Sequence, residues 1–418
     1  MNVHIIGAGP TGMAVALNYR QKGHTVHVYD KKEGPGGSWW EPDGARDFHS
    51  HRALFKGGFK NFENFLKKLK LSWETYFEKE SSEDFSKYID PSDYLTLIKY
   101  YFYCTIFNRK GALETTLSGL LEGKVTEKTA RFLKGLTYVI DGVSWDTMKS
   151  FEFFETVNVL HLSLLTSMYT QKVSGAVMNR DIEAKLKDMG IHFHYNKALD
   201  YIEYYPDSYK GLFMDGTELS DGILVLCVDN GPAYWLMRNN WGDLREKLNV
   251  TKYTSFNILL EYDYNIELPK ATIDYTMETP YKITPRVNRN IISCVICDVE
   301  PLKHVPPDVL VKNVIHQMGV PQPVTHKICW GSVWDGNSWY HTQTAASYSE
   351  GIPFRGKCSS VFMCGMMSER KTPFASIEAA VEVANRFTGD RCAYPVRLNH
   401  FLYLFVFLLM ILIVKIIK

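Results

Sequence analysis

The first thirty residues contain short apolar runs separated by turn-forming residues. Residues 2–6 are mostly apolar and predict a buried strand, and residues 13–22 predict a helix that Gly23 ends. A second strand is predicted over residues 25–29. Strand, helix and strand in this order are typical of an α/β fold built around a parallel sheet.

Two longer stretches follow other patterns. Residues 53–170 are rich in aromatic side chains and predict mainly helices, whereas residues 252–345 alternate as antiparallel strands do. With 418 residues, the chain is long enough for two domains. We interpret the two stretches as insertions that together form one substrate domain.

The turn after the first predicted strand has the pattern G-x-G-x-x-G, formed by Gly7, Ala8, Gly9, Pro10, Thr11 and Gly12. Between a strand and a helix, these glycines permit a tight turn, close approach of a pyrophosphate, and packing of the helix on the strand. Asp30 ends the second strand, eighteen residues after Gly12, where a carboxylate can accept hydrogen bonds from a ribose. The pattern therefore predicts a dinucleotide site.

A second glycine pair follows Asp30 closely, in the run Lys31 to Trp39 that contains Gly36, Gly37 and Ser38. Here the sequence resembles the glutathione-reductase-like FAD superfamily, and in particular its amine oxidase, carotenoid desaturase and protoporphyrinogen oxidase branch. The resemblance implies bound FAD, with the second pair continuing the phosphate cradle. Flavin-containing monooxygenases share Gly-Gly-Ser-Trp but need a second G-x-G-x-x-G, which residues 40–418 lack.

Later segments continue the resemblance. A helix ending near Gly190 and the strands after it are similar to the family's central FAD segment, which implies that the backbone of Leu199 contacts the adenine. Near Gly365 a strand leads into a helix that Thr372 is predicted to cap. In the family this helix points its N-terminus at the flavin, which implies amide contacts from Phe374 and Ala375.

The implied fold is a Rossmann-like FAD-binding domain with an interleaved mixed α+β substrate domain. The FAD-binding domain is predicted to consist of residues 1–52, 171–250 and 346–392, and the substrate domain of residues 53–170 and 251–345. The formal net charge of +1 and the absence of long basic runs argue against a nucleic-acid partner. The scattered cysteines, including Cys294 and Cys297, predict reduced thiols and no metal site.

The catalytic side chains are less well defined than the cofactor site. In amine oxidases a lysine on a substrate-domain strand holds a water near the flavin, and Asn257 stands at the corresponding position. The family's aromatic pair is replaced by Pro373 and Ser376. Candidates for a role beside the flavin are His49, His51, Lys327 and Trp330.

These departures favour an FAD-dependent oxidase or desaturase that acts on an apolar, lipid-like small molecule, with oxygen or a quinone as acceptor. Two alternatives stay open at this point. One is a redox-neutral flavin mutase, and the other is a non-catalytic structural or assembly protein that retains the flavoprotein fold. The oligomeric state does not follow from the sequence.

The C-terminal residues are strongly apolar. Residues 401–414 contain no charge, and the span from Phe401 to Ile417 is roughly 25 Å long as a helix. This predicts a single transmembrane helix over residues 398–418 that anchors the chain to a lipid bilayer, with the catalytic domain facing the cytosol.

Overall fold

The computed structural model describes residues 1–37, 54–79, 85–160, 167–249, 252–253, 256–268, 279–329, 332–341, 345–346 and 351–417. The strands are β1 Asn2–Ile6, β2 Thr25–Tyr29, β3 Leu54–Lys56, β4 Phe77–Lys79, β5 Ser167–Gln171, β6 His192–His194, β7 Leu199–Tyr204, β8 Tyr209–Phe213, β9 Glu218–Leu219, β10 Ile223–Leu226, β11 Lys252–Tyr253, β12 Phe256–Glu261, β13 Ile283–Asn288, β14 Ile291–Ile296, β15 Thr325–Cys329, β16 Ser332–Trp334, β17 Trp339–His341, β18 Ala345–Ala346 and β19 Val361–Met363.

The helices are α1 Pro10–Gln21, α2 Lys60–Lys68, α3 Trp73–Tyr76, α4 Tyr94–Phe102, α5 Arg109–Glu114, α6 Leu117–Leu121, α7 Glu127–Asp141, α8 Ser150–Leu160, α9 Gly175–Asp188, α10 Asn230–Met237, α11 Pro307–Met318, α12 Ile377–Thr388 and α13 Leu398–Ile417. Helix α1 begins three residues before the predicted start, because Pro10 occupies its first turn and Gly9 is its N-cap. Proline fits this position, since the first helical amides have no intrahelical acceptor.

A five-stranded parallel sheet in the order β19-β10-β1-β2-β6 organises one part of the molecule. Val3 and Ile5 point to one face, where they join a core with residues of α1 and α12. Ile6 points to the other face and packs with residues of the antiparallel sheet β7-β8-β9. Strands from distant parts of the chain therefore align with their carboxyl ends along one edge.

The other part contains an antiparallel sheet in the order β13-β14-β12-β15 and a group of helices, α4–α8. One face of the sheet packs on α11, where Ile258 and Leu260 meet Leu310 and Val314. The helices have their own core around Trp145 and similar apolar side chains. A further small sheet, β3-β5-β4, brings together segments from both ends of the helical stretch.

The predicted C-terminal transmembrane helix is wrong. No helix in the described part of the chain is both long enough and apolar enough to cross a membrane. Helix α13 starts at Leu398, but its first turn contains Asn399, which is buried and accepts a hydrogen bond from the Tyr101 hydroxyl. The charge-free residues 401–414 span only roughly 21 Å, whereas a hydrocarbon core is about 30 Å thick.

The predictions that depended on this anchor are therefore wrong as well. They are the bilayer as a partner of the C-terminal helix and a tail-anchored location with the catalytic domain facing the cytosol. The prediction rested on the number of apolar residues between Phe401 and Ile417. The structure shows instead that the first turn of the helix is attached to the helical part of the protein.

Candidate dinucleotide site

The turn between β1 and α1 accepts only glycine at two of its positions. The Gly7 amide donates to the Tyr29 carbonyl at 2.7 Å, and Gly7 has a φ of +111°, which side chains disfavour. A Cβ on Gly12 would lie 1.9 Å from the Gly7 carbonyl oxygen. The first amides of α1 lack intrahelical acceptors, so this end of the helix suits an anion.

Asp30 lies beside this turn, as the spacing predicts. Its carboxylate is buried and accepts hydrogen bonds from the Ala8 amide at 2.7 Å and the Lys32 amide at 2.9 Å. Each carboxylate oxygen keeps a second lone pair, so the group can still accept from a hydroxyl. The two backbone bonds hold the carboxylate next to the glycine turn.

The second glycine pair packs against the first turn. The Gly36 amide donates to the Ala8 carbonyl at 2.9 Å, and a Cβ on Gly37 would lie 3.1 Å from the Gly9 Cα. The Lys32 ammonium donates to the Gly37 carbonyl at 2.8 Å. Lys31 is exposed. Ser38 and Trp39 lie outside the described residues.

The segment between β6 and β7 lies next to Asp30. The Asp30 amide donates to the His194 carbonyl at 3.0 Å, and the Lys197 amide donates to the Asp30 carbonyl at 2.8 Å. Leu199 then begins β7 opposite Phe213 and is half-buried. The structure thus brings the segment leading to Leu199 next to Asp30, although about 170 residues separate them.

The ends of β10 and β19 lie beside the glycine turn. The Cys227 amide donates to the Ile6 carbonyl and the Cys364 amide to the Leu226 carbonyl, both at 2.8 Å. Burial and a hydrogen bond with Cys227 raise the pKa of the Cys364 thiol well above its usual value. Gly365 comes next, and its amide donates to the Ser368 hydroxyl at 3.1 Å.

Helix α12 lies beside α1, but it begins later than predicted. Its N-cap is Ser376, whose hydroxyl accepts from the Ala379 amide at 3.2 Å, so the prediction of Thr372 as the cap is wrong. The C-terminal halves of the two helices are joined by the Asn18 amide, which donates to the Asn385 side-chain oxygen at 2.9 Å. Because α1 and α12 each follow a parallel strand, both N-termini point to the carboxyl edge of the sheet.

The predicted contacts before α12 differ in environment. The Phe374 ring is buried against Phe59, with 5.9 Å between ring centroids, so its side chain belongs to the core. Ala375 is half-buried. Any contact between Phe374 and a cofactor therefore has to come from its backbone.

Two buried carboxylates on α12 were not predicted from the sequence as part of the site. Glu378 accepts from the Asn61 amide at 3.0 Å and from the Phe62 amide at 2.9 Å, so it caps the N-terminus of α2. Burial raises the pKa of Glu378 to about 8, and the two amides oppose that rise. Glu382 accepts from the Lys371 and Thr372 amides at 2.6 and 2.8 Å.

A buried arginine completes the support of the segment before α12. The Arg370 guanidinium donates to the Thr372 carbonyl at 2.8 Å, to the Pro373 carbonyl at 3.1 Å, and to the Met366 carbonyl. The signal available in the sequence was a pair of glutamates four residues apart within an apolar helix pattern, Glu378 and Glu382. Buried acids of this kind need partners, but the sequence does not say which.

Of the catalytic candidates, only Lys327 lies within the described residues. His49, His51 and Trp330 lie outside the described residues. Lys327 lies on β15, in register with Leu259 of β12, and is half-buried. Asn257 is buried on β12 and accepts a hydrogen bond from the Ser293 hydroxyl at 2.9 Å. Within the described ranges, no group of three or more metal-ligating side chains is placed to hold a metal ion.

The parallel sheet, the glycine turn and Asp30 define a Rossmann-type α/β fold. Residues 5–69 match the family model of an NAD(P)-binding Rossmann-like domain. No curated protein sequence matches the chain. The prediction of this α/β fold class is confirmed, apart from the transmembrane helix.

Solved structures extend the likeness over nearly the whole chain. A putrescine oxidase variant redesigned in its cofactor binding has a TM-score of 0.67 at 10% identity, covering 93% of this chain and 98% of its own. Cyclohexylamine oxidase from Brevibacterium oxydans has a TM-score of 0.64 at 13% identity, with coverage of 93% and 98%. An oxidoreductase from Methanosarcina mazei has a TM-score of 0.60 at 13% identity, with coverage of 93% and 100%. The predicted resemblance to the amine oxidase branch is confirmed at the level of the fold.

Proposed function

We propose that this protein binds FAD non-covalently along the carboxyl edge of its parallel sheet and oxidises a small, largely apolar molecule. The observation that carries the proposal is that two elements suited to an anionic ligand point to this edge. One is the turn from Gly7 to Gly12, and the other is the N-terminus of α12, which lies beside α1. A dinucleotide that carries a ring system at its far end fits two such elements.

The residues fit FAD in an order that follows the ligand. The backbone of the first turn, with Ala8, Pro10 and Thr11 between its glycines, binds the diphosphate. Asp30 accepts from the ribose, and the segment leading to Leu199 lies along the adenine. The Gly36–Gly37 pair closes over the phosphates, and it packs tightly on Gly9, because a Cβ on Gly37 would lie 3.1 Å from the Gly9 Cα.

The flavin end is assigned to the segment from Gly365 to Ala375. Two sets of hydrogen bonds support it, one from Arg370 and one from Glu382. When bound, FAD supplies the chemistry by accepting a hydride. The protein's task is to orient the substrate and to keep the segment before α12 in place.

The domain division remains part of the proposal. Residues 1–52, 171–250 and 346–392 would form the FAD-binding domain, and residues 53–170 and 251–345 the substrate domain. The proposal is supported by the parallel sheet, whose strands come from the first set, and by the sheet β13-β14-β12-β15, whose strands come from the second.

The experiment is purification of the full chain, an absorbance spectrum, and mass identification of any cofactor released by denaturation. We expect FAD, released intact because no covalent bond holds it. Anaerobic titration with panels of amines, carboxylic acids, lipids and sugar nucleotides then tests catalysis, with reduction of the flavin as the expected result. A protein that carries no flavin, or whose flavin no compound reduces, would contradict the proposed oxidase.

A further inference from the structure

The sheet β13-β14-β12-β15 has a second face, opposite α11, with a different composition. On β12, Ile258 and Leu260 belong to the α11 face. Because side chains alternate along a strand, Asn257 and Leu259 point to the opposite face. At its edge this face approaches α7, because the Lys282 ammonium lies 6.0 Å from the ring centroid of Tyr138 on that helix.

A polar pair lies buried in the middle of this face. The Ser293 hydroxyl on β14 donates to the Asn257 side-chain oxygen at 2.9 Å, and both residues are at most 1% exposed. The Asn257 side-chain nitrogen has no hydrogen-bond partner in the part of the chain that the structure describes. The Ser293 hydroxyl donates its only proton to Asn257. The two N–H donors of the Asn257 side chain are therefore left without an acceptor among the described residues.

Cationic residues share the face with this pair. In the strand register, Arg286 on β13 stands beside Ser293, and Lys327 on β15 stands beside Leu259. These four residues form one row across the sheet, with about 4.8 Å between neighbouring strands. Both cations are half-buried. Asn257 lies two residues along β12 from Leu259, so the two cations stand in the row next to the unused amide donors on the same face of the sheet.

This combination favours one chemical class of ligand. N–H donors that share a sheet face with cations are complementary to an anionic oxygen and disfavour an ammonium group. A buried amide without an acceptor costs free energy that such an oxygen would recover. In amine oxidases the strand is expected to carry a lysine that holds a water, whereas Asn257 offers uncharged donors.

We propose that Asn257, held by Ser293, binds a carboxylate at the polar end of the substrate and so selects carboxylate-bearing molecules over amines. This inference rests on the proposed flavin-dependent oxidation and names the substrate class of that site. Asn257 acts here as a specificity residue, and Ser293 as the positioning residue that orients its amide.

The test measures binding of two probes of similar size, benzoate and benzylamine, to the purified full-length protein with its flavin bound. Isothermal titration and the change in flavin absorbance are both recorded. We expect the wild type to bind benzoate at least about tenfold more tightly than benzylamine. Asn257→Leu should weaken benzoate binding by about tenfold and leave benzylamine unchanged.

Two further variants make the result specific. Asn257→Asp keeps the shape but adds a negative charge, so it should reverse the preference toward benzylamine. Thr325→Val is the matched control, because Thr325 is exposed on the edge strand β15. Its hydroxyl donates a hydrogen bond to Glu261 and not to Asn257. This control should retain the wild-type preference. If Asn257→Leu does not fold, two other results test the proposal. They are the preference of the wild type for benzoate and the reversal of that preference in Asn257→Asp.

The proposal is overturned if the wild type binds benzoate no better than benzylamine. It is equally overturned if folded Asn257→Leu keeps the full preference, since the amide would then serve only the packing of the sheet. Failure of the proposed function is distinguishable, because it appears as a protein without flavin. A protein that contains flavin but has no preference for carboxylates would contradict the role of Asn257 and leave the proposed function untouched.

Discussion

The two helix N-termini at the proposed cofactor site are built by different means. The turn before α1 is made from consecutive residues, and its shape depends on what Gly7 and Gly12 lack, namely side chains. The segment before α12 depends on what is present, because Arg370 and Glu382 hold it through buried charged hydrogen bonds. The first element is determined by backbone geometry, and the second by the support of charged side chains from the same stretch of chain.

This difference determines how each element can fail. A side chain in the glycine turn collides with backbone that cannot move away, so failure there is abrupt. Loss of a buried carboxylate leaves backbone amides without acceptors, so failure there is graded. The following predictions are arranged to separate the two kinds of failure.

The largest effect is expected from Gly12→Val. The new Cβ would lie 1.9 Å from the Gly7 carbonyl oxygen, so α1 cannot pack on β1 without moving. We expect loss of cofactor binding by more than about 100-fold and destabilisation of several kcal/mol, roughly as for other severe core disruptions. Flavin content after purification and urea unfolding measure both effects.

Gly231→Ala is the matched control for this variant. Gly231 lies in α10, and no atom lies within 4 Å of an added Cβ. Alanine should therefore bind flavin as the wild type does and be equal or slightly greater in stability. A Gly12→Val protein with normal flavin content would show that the turn is not the cofactor cradle.

A pH-dependent effect is expected at Glu378. Its pKa in the folded protein is about 8, above its ordinary value of 4.5, so the folded state binds the proton more tightly. The stability that this group contributes is fully present below pH 4.5 and is lost as the pH rises through 8. Linkage makes the difference roughly 3 to 5 kcal/mol.

Urea unfolding of the wild type and Glu378→Gln across this pH range tests the effect. The variant cannot ionise, so the difference in unfolding free energy between the two proteins should change steadily between pH 4.5 and 8. Glu127→Gln serves as control, because Glu127 is an exposed partner of Arg131. A constant difference between wild type and Glu378→Gln would contradict the prediction.

The smallest effect is expected from Glu382→Gln. Glutamine keeps one acceptor oxygen but turns an NH₂ group toward a backbone amide, so either Lys371 or Thr372 loses its acceptor. We expect destabilisation of about 1–3 kcal/mol and faster amide exchange at these two residues. Hydrogen exchange followed by mass spectrometry locates the change.

Glu369→Gln is the neighbouring control, since Glu369 is exposed and bonds to Arg386 at 3.4 Å. Its exchange pattern should match that of the wild type. Unchanged protection of the Lys371 and Thr372 amides in Glu382→Gln would mean that the segment before α12 holds its shape without the carboxylate. The contrast between the two helix N-termini would then disappear.

Local sequence was sufficient wherever neighbouring residues determine the structure. The strand, glycine turn and helix at residues 2–21 and the acid at Asp30 follow from spacing alone, because each requirement is met within a few residues. Even so, the helix begins at Pro10 instead of residue 13, and α12 begins at Ile377 instead of near Thr372. Such boundaries depend on which of several possible N-cap residues caps the helix in the folded chain.

Tertiary structure alone decided the features that join remote segments. The sequence does not show that Glu378 caps α2 across 317 positions, that Ser293 orients Asn257, or that Asn399 ties the start of α13 to Tyr101. The physical reason is the range of the interaction. A turn is determined by sterics between adjacent residues, whereas a buried polar group finds its partner only when the fold brings distant segments together.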